Sequence, residues 1–136
     1  MKLSTTTIDN ISEILTRIIE FTDRRRDILT RNLFDYNTEG FEPKDLPVCE
    51  FAECMTQAVS EHIHSKRLLL CDREHISFGE SGMFDIAPIT DIEAMKLLKV
   101  NKKCYLQMQI DKLSENLMNN RIAVELLKQK QQRSVF

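Results

Sequence analysis

Along the first third of the chain, residues recur in steps of three and four: Ile8, Ile11, Leu15, Ile18, Thr22, Arg25, Leu29 and Asn32. The first half of that series is apolar and the second half mixed, and the step is helical, which predicts a first long helix from about Ile8 to Phe34. Ile14, Ile19, Phe21 and Ile28 widen the apolar surface beyond one seam, as suits a helix that contacts more than one neighbour. Ile28, Leu29 and Leu33 share a face just before the helix ends. Asp35 and Asn37 favour side-chain-to-backbone bonds that compete with helix, and Gly40 tolerates the positive φ that terminates one. Phe41 can then fold back over the last apolar turn. Pro43 and Pro47 lack an amide donor and bias their predecessors away from helix.

From Pro47 the period resumes. Pro47 is placed to open a helix as its first residue, with Val48, Phe51, Ala52, Met55, Val59 and Ile63 at helical spacing, to an expected end near Leu70. Residues 76–86 alternate loosely around two glycines and read as a short strand, a hairpin or an extended loop. Thr90-Asp91-Ile92-Glu93 fits a capping box, predicting a short helix to about Val100 that breaks near Asn101-Lys102-Lys103. Beyond it, Leu106, Ile110, Leu113, Leu117, Asn120, Val124 and Leu127 repeat at about 3.5 residues, with Asn120 as the polar interruption. Such a seam argues for a helix packed along its length against another, with the asparagine fixing register. A helix of this length does not stand alone in water and must dock, and the N-terminal helix is the expected partner. Both helices carry apolar residues beyond one seam, and the middle segment offers limited bulk to cover them, so apolar surface is expected to remain for assembly.

Composition narrows the classes. At 136 residues there is room for one domain with a small core, and three glycines and three prolines among many Leu, Ile, Lys and Glu favour helix over sheet. Charged residues make up 29% of the chain, yet the net charge is −2, which leaves no basic excess for nucleic acid. The Asp23-Arg24-Arg25-Arg26-Asp27 block is flanked by acids and has no interleaved aromatics, so it reads as a solvated or ion-paired helix face. No apolar run approaches the ~20 residues that span a bilayer, and the N-terminus has no apolar signal-peptide core, so no membrane insertion and no cleaved signal are expected.

Nothing in the sequence has the spacing of a nucleotide loop, a metalloprotease helix or a nucleophile elbow, and the chain is not expected to be an enzyme or to need a cofactor. Cys49, Cys54, Cys71 and Cys104 with His62, His64 and His75 raise the question of zinc, but they form no paired knuckle, and Cys49 and Cys54 on one helix point to different faces. Buried cysteines and exposed histidines are the expectation. Cys71 and His75 stand four apart without a third orienting group, too little for a catalytic thiolate.

Two blocks carry a resemblance. The run from Asp27 to Leu46, DILTRNLFDYNTEGFEPKDL, is similar without a gap to the N-terminal signature of bacterial flagellar rod and hook proteins, N-x-x-N-x-x-T-P-G-Y in outline. Asn32, Thr38, Gly40 and Phe41 fall on matching positions, and Lys44-Asp45-Leu46 matches the basic-acidic-apolar tail of the proximal rod members. Glu39 stands in place of the proline, and Phe34, Asp35 and Asn37 replace small or alternative polar residues. Near the other end, Lys112, Leu113, Glu115 and Asn116 match a K-L-A-E-N core, with Ser114 for the alanine, ahead of an apolar heptad run. The acidic residue that usually precedes this core is missing from Cys104-Tyr105-Leu106. In the middle only His75-Ile76 agrees.

The expected fold is therefore mainly α: long N- and C-terminal helices packed as a coiled-coil-like pair around a smaller irregular or partly β middle segment. It forms one domain, divided at 1–46, 47–103 and 104–136. The resemblance implies a structural subunit of the proximal rod of the flagellar basal body, exported through the flagellar type III apparatus and required for motility. Its implied partners are copies of itself in a helical homo-oligomer, other proximal rod proteins, the basal-body adaptor protein FliE and the export gate. The residues expected to carry assembly are Leu29, Asn32, Leu33, Gly40, Phe41, Ile110, Leu113, Asn116, Leu117, Val124 and Leu127. A cytosolic helical adaptor that binds a partner helix, and a small zinc-binding regulator, are the rival readings of the same residues.

Overall fold

The computed structural model describes residues 9–79 and 84–135. Helix α1 (Asn10–Phe34) begins on Asp9, whose carboxylate accepts from the Ile11 amide, so the expected start at Ile8 lies outside the described residues. The helix ends as its sequence dictates. The Asp35 amide closes on Arg31 O, and Gly40 takes φ +79° in the turn that follows. Strand β1 (Lys44–Asp45) leads into α2 (Val48–Ser65), with Pro47 one residue ahead of the first helical turn. This helix stops five residues short of the expected Leu70, because Lys66 adopts the left-handed conformation (φ +62°) and its amide caps His62 O.

Within residues 76–86 the described ends pair as a two-stranded ladder. Strands β2 (Ile76–Ser77) and β3 (Asp85–Ile86) pair antiparallel, Ile76 opposite Ile86 and Ser77 opposite Asp85. Strand β4 (Ile89–Thr90) returns to pair antiparallel with β1, Lys44 opposite Thr90 and Asp45 opposite Ile89. That pairing overturns the capping box. Thr90 is held in the ladder, and Asp91 caps α3 (Ile92–Val100) by accepting from the Ala94 amide at 3.0 Å. The break before the last helix is a single extended residue, Asn101. Its side chain caps α4 (Lys102–Val135) through the Cys104 amide, so Lys102 and Lys103 are helical.

The long helices α1 and α4 pack antiparallel: the start of α4 meets the end of α1 at Tyr105 and Asn32, and Lys130 near its far end pairs with Asp9. The expected fold class is what the structure shows, including small two-stranded sheets in the middle.

The core lies elsewhere than the helix pair. Contrary to the expectation of limited bulk, the middle segment supplies most of it. Phe51, Cys54, Met55 and Ala58 of α2 and Ile76, Phe78, Phe84 and Ile86 of the hairpin close on Ile14 and Phe21 of α1, with Leu46. Phe21 stacks on Phe51 with ring centroids 4.0 Å apart, and Phe78 on Phe84 at 5.1 Å. Each buried phenylalanine contributes about 1.5–3 kcal/mol from area alone, so this aromatic cluster anchors α1 on its α2 side. The guanidinium groups of Arg17 and Arg24 lie over the Phe84 ring, and Arg24 donates to Phe84 O at 2.8 Å.

Candidate functional site

The contact between α1 and α4 carries a ladder of hydrogen bonds alongside the buried Leu29, Tyr105 and Ala123. The buried Tyr105 hydroxyl donates to Asn32 O at 2.8 Å, and burial pushes its pKa up to about 12. Asn32 Nδ2 donates to Gln109 Oε1 at 3.0 Å and to Lys44 O at 2.8 Å, while its own Oδ1 accepts from the Lys44 amide. One turn on, Lys112 Nζ bridges Asp91 at 2.6 Å and Asp45 at 3.4 Å. Asp45 also accepts from Arg25 through both oxygens, at 2.8 and 3.0 Å. Asn116 Nδ2 donates to Thr22 O at 2.8 Å, and Asn120 Nδ2 to Thr22 Oγ1 at 2.8 Å and Asp23 Oδ1 at 3.0 Å. The ladder ends at Lys130 and Asp9, whose carboxyl is held below its ordinary pKa mainly by that lysine.

The edge of α4 that α1 covers is therefore Tyr105, Gln109, Lys112, Asn116 and Ala123. The expected seam of Leu106, Ile110, Leu113, Leu117, Asn120, Val124 and Leu127 is not the covered one, apart from Asn120 and Leu127 at its margin. At 100° per residue its leucine, isoleucine and valine positions between 106 and 124 lie about 90° round the helix from the covered edge. The covered register wins because most of its polar groups find partners on α1, β1 and the α3 cap, Gln109 Nε2 being the buried exception. Burying them elsewhere without partners costs about 1–3 kcal/mol each.

The displaced apolar positions face outward. Ile110 and Leu117 are 48% and 46% exposed, and Leu106, Leu113, Val124 and Leu127 are half-buried. On α1, Ile19 and Leu33 are half-buried on the matching flank, on the side away from α2. The outer face thus carries an apolar row on α4, from Leu106 to Val124, beside an α1 flank where Ile19 and Leu33 are separated by Asp23, Arg26 and Thr30.

The remaining predicted residues divide by burial. Leu29, Asn32 and Asn116 are buried inside the monomer, where they hold the helix pair and are unavailable to a neighbour. Gly40 and Phe41 are on the surface of the turn, where with Ile28, Arg31, Asn32 and Asp35 they line a cleft of about 450 Å³. Phe41 and the last turns of α1 are thus walls of one cleft, and the Phe41 amide donates to Thr38 O at 3.1 Å. Tyr105, Gln109 and Ala123 were not singled out by the sequence. Their only signal is the spacing of Gln109, Lys112, Asn116 and Asn120, a polar echo of the apolar repeat.

The thiols do not converge. Cys49 and Cys104 are exposed; Cys54 is buried, its pKa raised by that burial, with Sγ donating to Cys71 O at 3.3 Å. His75 Nδ1 lies 2.6 Å from Glu50 Oε2, which raises the imidazole pKa and lowers that of the carboxyl. Among the described residues the one group of three candidate metal ligands is Glu50, Glu74 and His75, and no cysteine joins it. Nor is any helix of the described residues long and apolar enough to cross a membrane.

Compared with protein-family models, curated proteins and solved structures, the chain matches none.

Proposed function

We propose that this chain is a self-assembling structural subunit of the flagellar proximal rod, of the FlgB type, exported through the flagellar type III apparatus and polymerised by helix packing. The observation that carries this reading is the outward apolar stripe. An α1–α4 pair closed by a polar ladder leaves Ile110 and Leu117 exposed and Leu106, Leu113 and Val124 half-buried along about 27 Å of α4. A repeat of about 3.5 residues fits the side chains of another helix better than an irregular surface. Copies of the same chain supply such helices, and the signature blocks at both ends place the pattern where rod proteins carry theirs. The ladder's part is to hold the two helices in one register, so that every copy presents the same face. No chemistry is required of the subunit; its work is geometric.

The test is Leu117→Asp. Because Leu117 is 46% exposed, the variant keeps its helical circular dichroism and its monomer fold while losing assembly and, in a flagellated host, swimming. Ordinary assembly and swimming with a charge on that stripe would sink the reading. Export that continues in a strain lacking the flagellar apparatus would count against it independently.

A further inference from the structure

We infer that the cavity between α1, α2 and α4 receives the α3–α4 corner, centred on Val100, of a second copy, so that copies join head to tail. This inference rests on the self-assembly reading and adds a second, axial contact to it.

The cavity holds about 350 Å³ and is walled mainly by Leu15, Ile18, Phe51, Met55, Ile122 and Leu126. Liquid water filling that volume would number about a dozen molecules, facing walls that offer them few hydrogen bonds. Its one basic wall residue, Arg25, is already committed to Asp45. The carboxylate of Glu115 lines the opening, and Glu125 stands exposed one turn from Ile122. Neither has an ion-pair partner among the described residues.

The complementary feature lies at the other end of the molecule. Val100 is 84% exposed, more than any other large apolar side chain among the described residues. It lines a shallow, mainly apolar hollow with Leu97, Met108, Lys96 and Glu93, and Lys99, Lys102 and Lys103 are its near neighbours in sequence. Lys102 reaches Asn37 at 3.5 Å, and none of the four makes an ion pair among the described residues. In a chain of net charge −2, four lysines around one exposed valine are a local excess. An exposed valine with four lysines and one glutamate near it thus stands against an apolar cavity with Glu115 in its lining and Glu125 nearby.

Position decides who occupies the cavity. Its midpoint on α4, near Asn119, is about 20 residues or 30 Å along the helix from Val100, so the two cannot meet within one molecule. They are also different surfaces, so the contact is heterologous. Repeated without closing, it generates a helical filament rather than a twofold dimer.

The experiment follows assembly of the purified full-length chain by sedimentation velocity across concentration. Val100→Glu, at a solvent-facing position, raises the concentration needed for assembly by about tenfold or more, which corresponds to ~1.4 kcal/mol. Glu115→Lys and Lys99→Glu each raise it by about threefold or more, and the double variant returns it towards wild type. Assembly of Val100→Glu at the wild-type concentration would overturn the inference, as would a double charge reversal no better than either single one. If Leu117→Asp blocks assembly while Val100→Glu does not, the outer stripe stands and the head-to-tail contact falls. If the wild-type chain stays monomeric at every concentration, both fall.

Discussion

Asp45 meets two cations and one amide: Arg25 of α1 on both oxygens, Lys112 of α4 at 3.4 Å, and the Leu46 amide beside it at 2.7 Å. The Arg25 side chain is almost wholly buried, and removing one partner of a buried pair costs more than the pair itself contributes. The two truncations are therefore unequal. Asp45→Ala leaves a buried guanidinium without its carboxylate and is expected to destabilise by about 3–5 kcal/mol. Arg25→Met costs less, since Asp45 keeps Lys112 and the Leu46 amide and the methionine extends the apolar cavity wall. Urea midpoints of the two variants check the order, and an Arg25→Met protein less stable than Asp45→Ala would refute it. The sequence placed Arg25 within the heptad series of α1, on the side that became the seam. It also allowed an ion-paired face. The partner, twenty residues away in a two-residue strand, follows from no local pattern, because only the pairing of β1 with β4 brings Asp45 under the helix.

At the scale of elements, the C-terminal end of α1 and the existence of α2, α3 and α4 were legible because turns and helical periods are local signals. Gly40 with its positive φ is the clearest case. The buried edge of α4 was not legible. Two registers of three- and four-residue steps run along that helix, and hydrophobicity favours the one that ended outside. What decided the matter is hydrogen-bond partners on other elements, such as Thr22 O for Asn116, which periodicity does not encode.

The hairpin of β2 and β3 was one of three alternatives for its stretch, and it is tied to α2 by His75. The His75 amide donates to Glu50 Oε1 at 3.0 Å, and its ring lies against Glu50 Oε2. The pair sets a pH window. The imidazole pKa is raised above its ordinary 6.5, so its stabilising contribution is complete below that value and is lost as pH rises through the folded pKa. The Glu50 carboxyl is lowered from 4.5, so its contribution is present above that value and is lost as pH falls through its folded pKa. Amide exchange at residues 75–78 and 84–87, corrected for intrinsic rates, is expected to be slowest between about pH 5 and 6.5 and to quicken above. His75→Gln flattens that upper limb. An unchanged pH profile in the variant would show that the pair does not anchor the hairpin.

For the whole molecule, an apolar core on one side of α1 and a polar ladder along another leave the outer stripe without a covering element of its own. A fold arranged in this way is stabilised by mass action, because whatever covers the stripe binds the native state and not the unfolded one. The midpoint of thermal unfolding should then rise with protein concentration. Going from tenfold to a thousandfold over the dissociation constant of the contact adds about 2.7 kcal/mol of apparent stability, which for a domain of 136 residues shifts the midpoint by roughly 6–12 °C. Leu117→Asp should remove that dependence and leave the dilute-limit midpoint close to wild type, since the substituted side chain holds nothing together inside the monomer. Differential scanning calorimetry over a hundredfold concentration range measures both quantities. A wild-type midpoint that stays flat would mean that the monomer's stability owes nothing to its neighbours. A fall in the dilute midpoint of Leu117→Asp by as much as a core substitution causes would instead place Leu117 inside the fold, and the assembly stripe would have to be sought on another face.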